Sequence, residues 1–222
     1  MALTPARIAA RILIETQSVL FRPEDPFILT SGRASPVYVD CRKLIAFPRA
    51  RRRLMQMGAA AIEERVGFES LDVVAGGETA GIPFSAWIAD QLMLPMAYIR
   101  KKPKGFGRNA RIEGHVKEGD RVLLVEDMTT DGGSKVSFVQ GIRDAGAECG
   151  HCFVVFEYGI FPEGIEALEK EHGVKLHSLT NWWEVLACAR EEGYFSAEAT
   201  DQVEAFLKDP KAWSLANGGK ED

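Results

Sequence analysis

A chain of 222 residues, 46% hydrophobic and 27% charged, has room for one domain with a sizeable core and little room for a second large one. No apolar run reaches the roughly 18–20 residues that span a bilayer. The stretch from Met1 to Gln17 is amphipathic and lacks the continuous apolar centre of a signal peptide, so a cytoplasmic location is expected. A net charge of −5 argues against broad nucleic-acid binding unless cations are gathered locally.

Thr4 ahead of Pro5 reads as an N-cap with proline at the first helical position. Ile8, Ile12, Leu13 and Val19 then supply one apolar stripe, so a helix is expected over residues 5–17. Residues 21–44 change character, with Pro23, Pro26 and Pro36 ahead of the alternating Val37-Tyr38-Val39-Asp40. This predicts irregular chain with one or two short strands. Pro48 opens a second helix to about Val66. Its run of Arg49, Arg51, Arg52 and Arg53 reads most simply as a solvated face, with a phosphate or subunit contact as the alternative.

From Leu71 strands and helices alternate. Strands are expected at 71–75, 94–99, 122–125, 148–156 and 174–179, and helices at 82–93, from Val136 onward, and at 162–172. Such alternation predicts an α/β fold, a parallel twisted sheet flanked by helices on both faces. Helices at 182–191 and 197–208 follow, and then a polar tail, 217–222, expected to fray. The four cysteines, Cys41, Cys149, Cys152 and Cys188, suggest no disulfide framework. Cys149-Gly150-His151-Cys152 has the letters of a thioredoxin-type site, but that chemistry needs the first thiol at a helix N-terminus. This pair leads into the apolar run 153–156 instead, so redox and zinc roles are disfavoured, and His151 reads as a strand-edge or satisfied histidine.

In a sheet of this kind ligands sit outside the carboxyl ends of the strands, which gathers three loops on one rim. The first, Gly76-Gly77-Glu78-Thr79-Ala80-Gly81, suits close backbone approach to an anion, or is simply a tight strand-to-helix turn. The second, residues 100–111, carries six cations (Arg100, Lys101, Lys102, Lys104, Arg108, Arg111) and no acid. A long cationic loop with Gly105 and Gly107 reads as a mobile lid over a highly charged leaving group such as pyrophosphate. A solvated loop or a nucleic-acid patch is the alternative, with Phe106 the only aromatic in the stretch.

The third rim segment is the most specific. The apolar run 122–125 ends in Glu126 and Asp127 and is followed by Thr129, Thr130, Asp131, Gly132, Gly133 and Ser134, with a helical pattern after that. Backbone N–H groups and a helix dipole make such a turn a phosphate cradle, although it lacks the spacing of a nucleotide P-loop or a dinucleotide fold. Carboxylates beside a phosphate repel it, so the acid pair should serve sugar hydroxyls, a Mg2+ ion, or a sugar carbon turning positive.

Apolar strand, acid pair, threonine-rich loop and Gly132-Gly133-Ser134 together resemble the phosphoribosyl-pyrophosphate (PRPP) motif of type I phosphoribosyltransferases. Arg100-Lys101-x-Pro103-Lys104-Gly105-x-Gly107, closing in Ile112-Glu113-Gly114, resembles the catalytic loop of the orotate phosphoribosyltransferases. The stretch from Phe27 to Arg42 resembles their hood segment, and that from Gly76 to Pro83 their pyrophosphate loop. The four stretches occur in family order, and the similarity covers about residues 5–210.

This resemblance implies one phosphoribosyltransferase domain over residues 1–222, with a core at about 68–180 and a small hood from about 18–45 plus the C-terminal helices. It implies transfer of 5-phosphoribose from PRPP to N1 of orotate, with Mg2+, giving orotidine 5′-monophosphate and pyrophosphate in pyrimidine biosynthesis. Arg100, Lys101 and Lys104 would contact the pyrophosphate, with Lys104 the main catalytic cation. Glu126 and Asp127 would act at the sugar, and Thr129, Thr130, Asp131, Gly132, Gly133 and Ser134 would hold PRPP, with Thr130 also touching orotate. Tyr38 and Val39 would help cover the pyrimidine, and Thr30, Thr79, Ala80 and Tyr158 stand at further substrate-facing positions. A homodimer is implied, the lid closing over the neighbouring subunit's site.

Several positions depart from the family pattern. Thr129 replaces an aliphatic residue and Asp131 a small neutral one, while Phe106 stands where the loop usually has a histidine. Thr30 and Ala80 replace lysines found in some members. Tyr158 replaces an arginine that in some members binds the orotate carboxylate, a task that backbone N–H groups with Arg33 or Arg42 are expected to take over. The alternatives are a transferase for another base, which the hood segment disfavours, and a non-catalytic PRPP-sensing regulator, which would have no need of the cationic loop.

Overall fold

The computed structural model describes residues 3–105 and 110–220; Phe106 and Arg108 of the basic loop lie outside the described residues. In chain order the elements begin with α1 (Pro5–Glu15), β1 (Val19–Phe21), β2 (Phe27–Ile28), β3 (Ala34–Ser35), β4 (Val37–Val39) and a 3-10 turn, Cys41–Ala46. Next come α2 (Pro48–Arg65), β5 (Val73–Gly77), α3 (Gly81–Leu92), β6 (Met96–Ile99), β7 (Ile112–Glu113), β8 (Arg121–Thr129) and α4 (Gly133–Asp144). The chain ends with β9 (Glu148–Glu157), α5 (Pro162–His172), β10 (Lys175–Asn181), α6 (Trp182–Glu192), α7 (Ala197–Lys208) and α8 (Pro210–Ala216). It divides into two compact units, Met1–Phe47 with Thr180–Asp222, and Pro48–Leu179.

The second unit carries a six-stranded sheet in the order β10-β9-β8-β5-β6-β7. β5 pairs in parallel with both β6 and β8, and β8 with β9. The run 122–125 is buried throughout because the sheet is covered on both faces, which is why those residues show no polar alternation. Ala75, Ile99, Leu124, Ile142 and Val154 lie in the core of this unit. β7 was not expected: it pairs antiparallel with β6 through Tyr98–Glu113 and Ile99–Ile112, so the sheet is mixed. β8 also runs beyond the expected 122–125, to Thr129, because Met128 and Thr129 keep pairing with Phe156 and Glu157 of β9. The acid pair therefore lies inside the strand, not at its end.

The strand order reverses between β5 and β8: the chain leaves β5 for β6 and β7 on one side and returns to β8 on the other. The loops after β5 and β8 thus flank a topological switch point, where open α/β sheets take their ligands. On β9 the thiols of Cys149 and Cys152 are buried; burial pushes Cys149 up to about 11 and shifts Cys152 in the same direction, so neither is primed as a nucleophile. His151 Nδ1 lies 3.0 Å from His177 Nε2, which makes it a satisfied histidine. In the arginine run of α2, the Arg51 guanidinium stacks 4.4 Å from the Trp87 ring centroid.

The first unit opens as expected: Thr4 Oγ1 accepts the Arg7 N–H at 3.2 Å and Pro5 follows it. The proline-rich stretch holds three short strands, not one or two, and the end of β1 ahead of it; they pair antiparallel as β1–β4 and β2–β3. Phe21 stacks on Phe195 at 4.3 Å. The tail departs from expectation as well. α8 forms on an Asp209 cap, the Lys220 N–H reaches the Gly32 carbonyl at 2.9 Å, and the Ala34 N–H reaches Ser214 Oγ at 2.9 Å. Residues 217–220 are docked instead of frayed because they satisfy backbone groups of the turn between β2 and β3.

Candidate active site

β8 delivers the third rim segment to the switch point. Thr129 Oγ1 accepts the Gly132 N–H at 3.0 Å, and Asp131 Oδ1 accepts the Gly133 N–H at 3.0 Å. Gly132, at φ +85°, turns the chain into α4 in a conformation that glycine adopts at little cost. Thr130, Asp131, Gly133 and Ser134 are exposed around this cradle. α5 presses on its outer side: a Cβ on Gly164 would stand 2.2 Å from the Asp131 carbonyl oxygen, so the loop's position depends on that glycine. Tyr158 donates its N–H to the Thr129 carbonyl at 3.0 Å and stacks loosely on Phe161.

Across the switch point stands the turn after β5. Ala80 is buried just ahead of α3, and Thr79 is exposed. Glu126 lies beneath this turn. A Cβ on Gly77 would sit 2.2 Å from Glu126 Oε1, and one on Gly81 2.5 Å from it, so only glycine lets the turn close over that carboxylate. The other oxygen, Oε2, takes a hydrogen bond from Lys135 Nζ at 3.3 Å. Burial pushes the Glu126 carboxyl up to about 7, Lys135 opposes the rise, and the charge of Asp127 adds to it. Asp127 is buried as well, at 6% exposure.

The basic loop starts as a hairpin at the sheet edge, with the Arg100 N–H on the Arg111 carbonyl at 2.8 Å and the Lys104 N–H on the Ala110 carbonyl at 2.7 Å. Its base is tied to the turn after β5, because Glu78 Oε2 accepts the Lys101 N–H at 2.8 Å. The side chains of Arg100 and Lys104 both face Glu113 of β7, at 3.3 and 3.9 Å. Lys104 is 73% exposed. The structure thus gathers Lys101, Thr79, Ala80, Glu126 and the cradle, and leaves Lys104 and Arg100 on the edge carboxylate. Thr30, Tyr38 and Val39 belong to the other unit. There Thr30 is exposed in a turn, Tyr38 is exposed with its ring 5.4 Å from Phe27, and Val39 is buried.

Comparison with known proteins settles the family. Residues 49–189 match the phosphoribosyl transferase domain. An orotate phosphoribosyltransferase of Ruegeria sp. (strain TM1040) is 58% identical over 212 residues, covering 96% of this chain and 93% of the relative. This chain belongs to the orotate phosphoribosyltransferase family. A solved orotate phosphoribosyltransferase from Aeropyrum pernix superimposes with a TM-score of 0.66 at 26% identity, over 83% of this chain and 99% of that one. The Leishmania donovani UMP synthase structure gives a TM-score of 0.74 at 27% identity over 91% of this chain, which spans only 42% of that longer protein. The fold is that of the type I phosphoribosyltransferases.

Sequence reasoning missed four residues that shape this candidate site. Lys135 had a legible signal: it shares one helical stripe with Phe138, Val139 and Ile142, all buried, and a lysine on an apolar stripe needs a partner. Glu78, Glu113 and Gly164 had none, since none of them breaks a local pattern and their partners at Lys101, Lys104 and Asp131 lie on other elements.

Proposed function

We propose the following division of labour for this chain, a pentosyltransferase of pyrimidine biosynthesis that transfers 5-phosphoribose from PRPP to orotate. The loop from Thr129 to Ser134 seats the 5-phosphate with its backbone N–H groups and the α4 dipole. Glu126 and Asp127 take the ribose hydroxyls and face the positive charge that grows at the sugar as the bond from C1 to the pyrophosphate oxygen breaks. That electron pair leaves with the pyrophosphate; the N1 lone pair of orotate forms the new bond to C1, and the N1 proton is released. Lys101, Thr79 and Ala80 meet the pyrophosphate from the switch point. Arg100 and Lys104 exchange Glu113 for the departing diphosphate.

The observation that carries this reading is the acid-bearing strand that runs directly into an N–H cradle, opposite a glycine turn at the switch point. No group of three or more acidic, histidine or cysteine side chains among the described residues forms a ready metal cage. Mg2+ is proposed to enter with PRPP, where it would help neutralise the leaving group.

Loss of orotate absorbance on adding PRPP and Mg2+, with adenine, hypoxanthine and uracil as controls, tests the reaction; turnover of a control base in place of orotate overturns the acceptor. Orotate titration of an Arg33→Ala/Arg42→Ala variant tests whether these arginines serve the orotate carboxylate, and an unchanged affinity removes them. No helix among the described residues is long and apolar enough to cross a membrane; the proposed location is cytoplasmic, to be checked by fractionation. The homodimer with a shared lid is tested by mixing Lys104→Ala and Asp127→Asn chains. If the loop serves the neighbouring site, random pairing restores about a quarter of wild-type activity, because half the dimers hold one intact site. Activity no greater than that of the separate variants rejects sharing.

A further inference from the structure

We propose that Lys135 is a positioning residue for this reaction: it clamps the Glu126 carboxylate between the phosphate cradle and the pyrophosphate turn, so that PRPP meets that carboxylate as an anion. The inference rests on the assignment of Glu126 to the sugar made above.

Lysine is among the residues least often buried, yet Lys135 is 2% exposed. Its ammonium has three acceptors within reach: Glu126 Oε2 at 3.3 Å, the Met128 carbonyl at 2.9 Å and Ser134 Oγ at 3.1 Å. One cation therefore ties the end of β8, the cradle at the start of α4 and the buried acid into a single unit. An ion pair present only for stability would satisfy both carboxylate oxygens. Here Oε1 is buried and has no hydrogen-bond partner among the described residues. It lies against the Gly77 and Gly81 backbone at the switch point. A buried acceptor without a donor points to a donor that arrives from outside, and a sugar hydroxyl has that chemistry.

The charge environment explains why a lysine is needed. Desolvation and the neighbouring Asp127 both disfavour an ionised Glu126, while Lys135 on α4 and, from the stretch after β6, Lys101 favour it. The Cys152 thiol of β9, which also interacts with Glu126, is held neutral by burial. With Lys135 removed, the acid would hold its proton and lose its hold on the sugar cation.

The test is the pH profile of kcat/KM for PRPP in wild type, Lys135→Met, Glu126→Gln and the double variant. Lys135→Met is expected to move the acidic limb upward by one unit or more, which at neutral pH, from a starting value of about 7, costs about fivefold or more in the ionised fraction. Activity should recover as the pH approaches 9, which a collapsed fold would not do. In the Glu126→Gln background, Lys135→Met should change the rate less than about twofold, because the two act as a unit. A loss that is the same at every pH, an unshifted limb, or additive losses in the double variant overturns the proposal. Should Lys135→Met fail to fold, the double variant, neutral on both sides, decides by comparison with Glu126→Gln alone. Wild-type chain that does not consume orotate with PRPP defeats the functional reading itself; a normal wild type with an unshifted Lys135→Met limb defeats only the clamp.

Discussion

Glu126 and Lys104, the charges assigned to the two sides of the reacting bond, are held in opposite ways. Glu126 lies inside β8 under a glycine turn, with a buried lysine on one oxygen and the Gly77 and Gly81 backbone against the other. Lys104 stands at the sheet edge, mostly exposed, 3.9 Å from a carboxylate that Arg100 shares. In the proposed assignment the sugar side is the preorganised one, where fixed dipoles and charges would stabilise a developing cation without reorganising. The leaving-group side, in the proposed assignment, rests on partly exposed ion pairs of small net strength, which substrate can displace.

That contrast can be broken or sharpened by experiment. The largest effect is expected from Lys104→Ala: turnover should fall by roughly 10²-fold or more, the scale of a lost transition-state donor. Its thermal midpoint should stay unchanged, because the side chain is exposed; a lowered midpoint would mean that the edge is structural. Gly164→Ala attacks the preorganised side without touching a charge. The added methyl meets the Asp131 carbonyl, and the displaced cradle should raise KM for PRPP roughly tenfold, within the cost of a sub-ångström misplacement. An unaltered KM would show that α5 does not set the loop.

A third prediction concerns pH. With its carboxyl pushed up to about 7, Glu126 should give kcat/KM an acidic limb with a midpoint near that value, and Glu126→Gln should abolish it. The same rise has a stability consequence whose sign is fixed. Folding raises this pKa from 4.5 to about 7, so the folded state binds the extra proton within that window and loses stability as pH climbs through it. Glu126→Gln should therefore flatten the fall in thermal midpoint between those pH values; a parallel fall in wild type and variant assigns it to another group. The smallest effect is expected from Glu113→Gln. Freed of a half-buried counter-ion, Lys104 and Arg100 should lower KM for PRPP by about two- to threefold, and a higher KM would mean that Glu113 aims them.

Much of this was legible in the residues themselves. The apolar runs 122–125 and 153–156, the caps at Thr4 and Pro5 and the alternation from Leu71 onward point to a sheet covered on both faces, because local pattern and burial agree there. The cradle could be read for the same reason, since Thr129, Asp131 and Gly132 close their hydrogen bonds within a few residues. The limit of β8, the antiparallel β7 and the docked tail could not, because each depends on a partner strand or turn elsewhere.

Sequence alone determined which chemistries the chain carries: an acid pair ahead of an N–H turn, and a cationic stretch with no acids. Only tertiary structure decided their state. It buried Glu126 and lifted its pKa, gave it Lys135 across nine residues, closed Gly77 and Gly81 over it, and placed Lys104 on Glu113. The reason is physical: residue type sets what a group can do, but desolvation and charge partners are contributed by other segments, and local pattern carries no record of them.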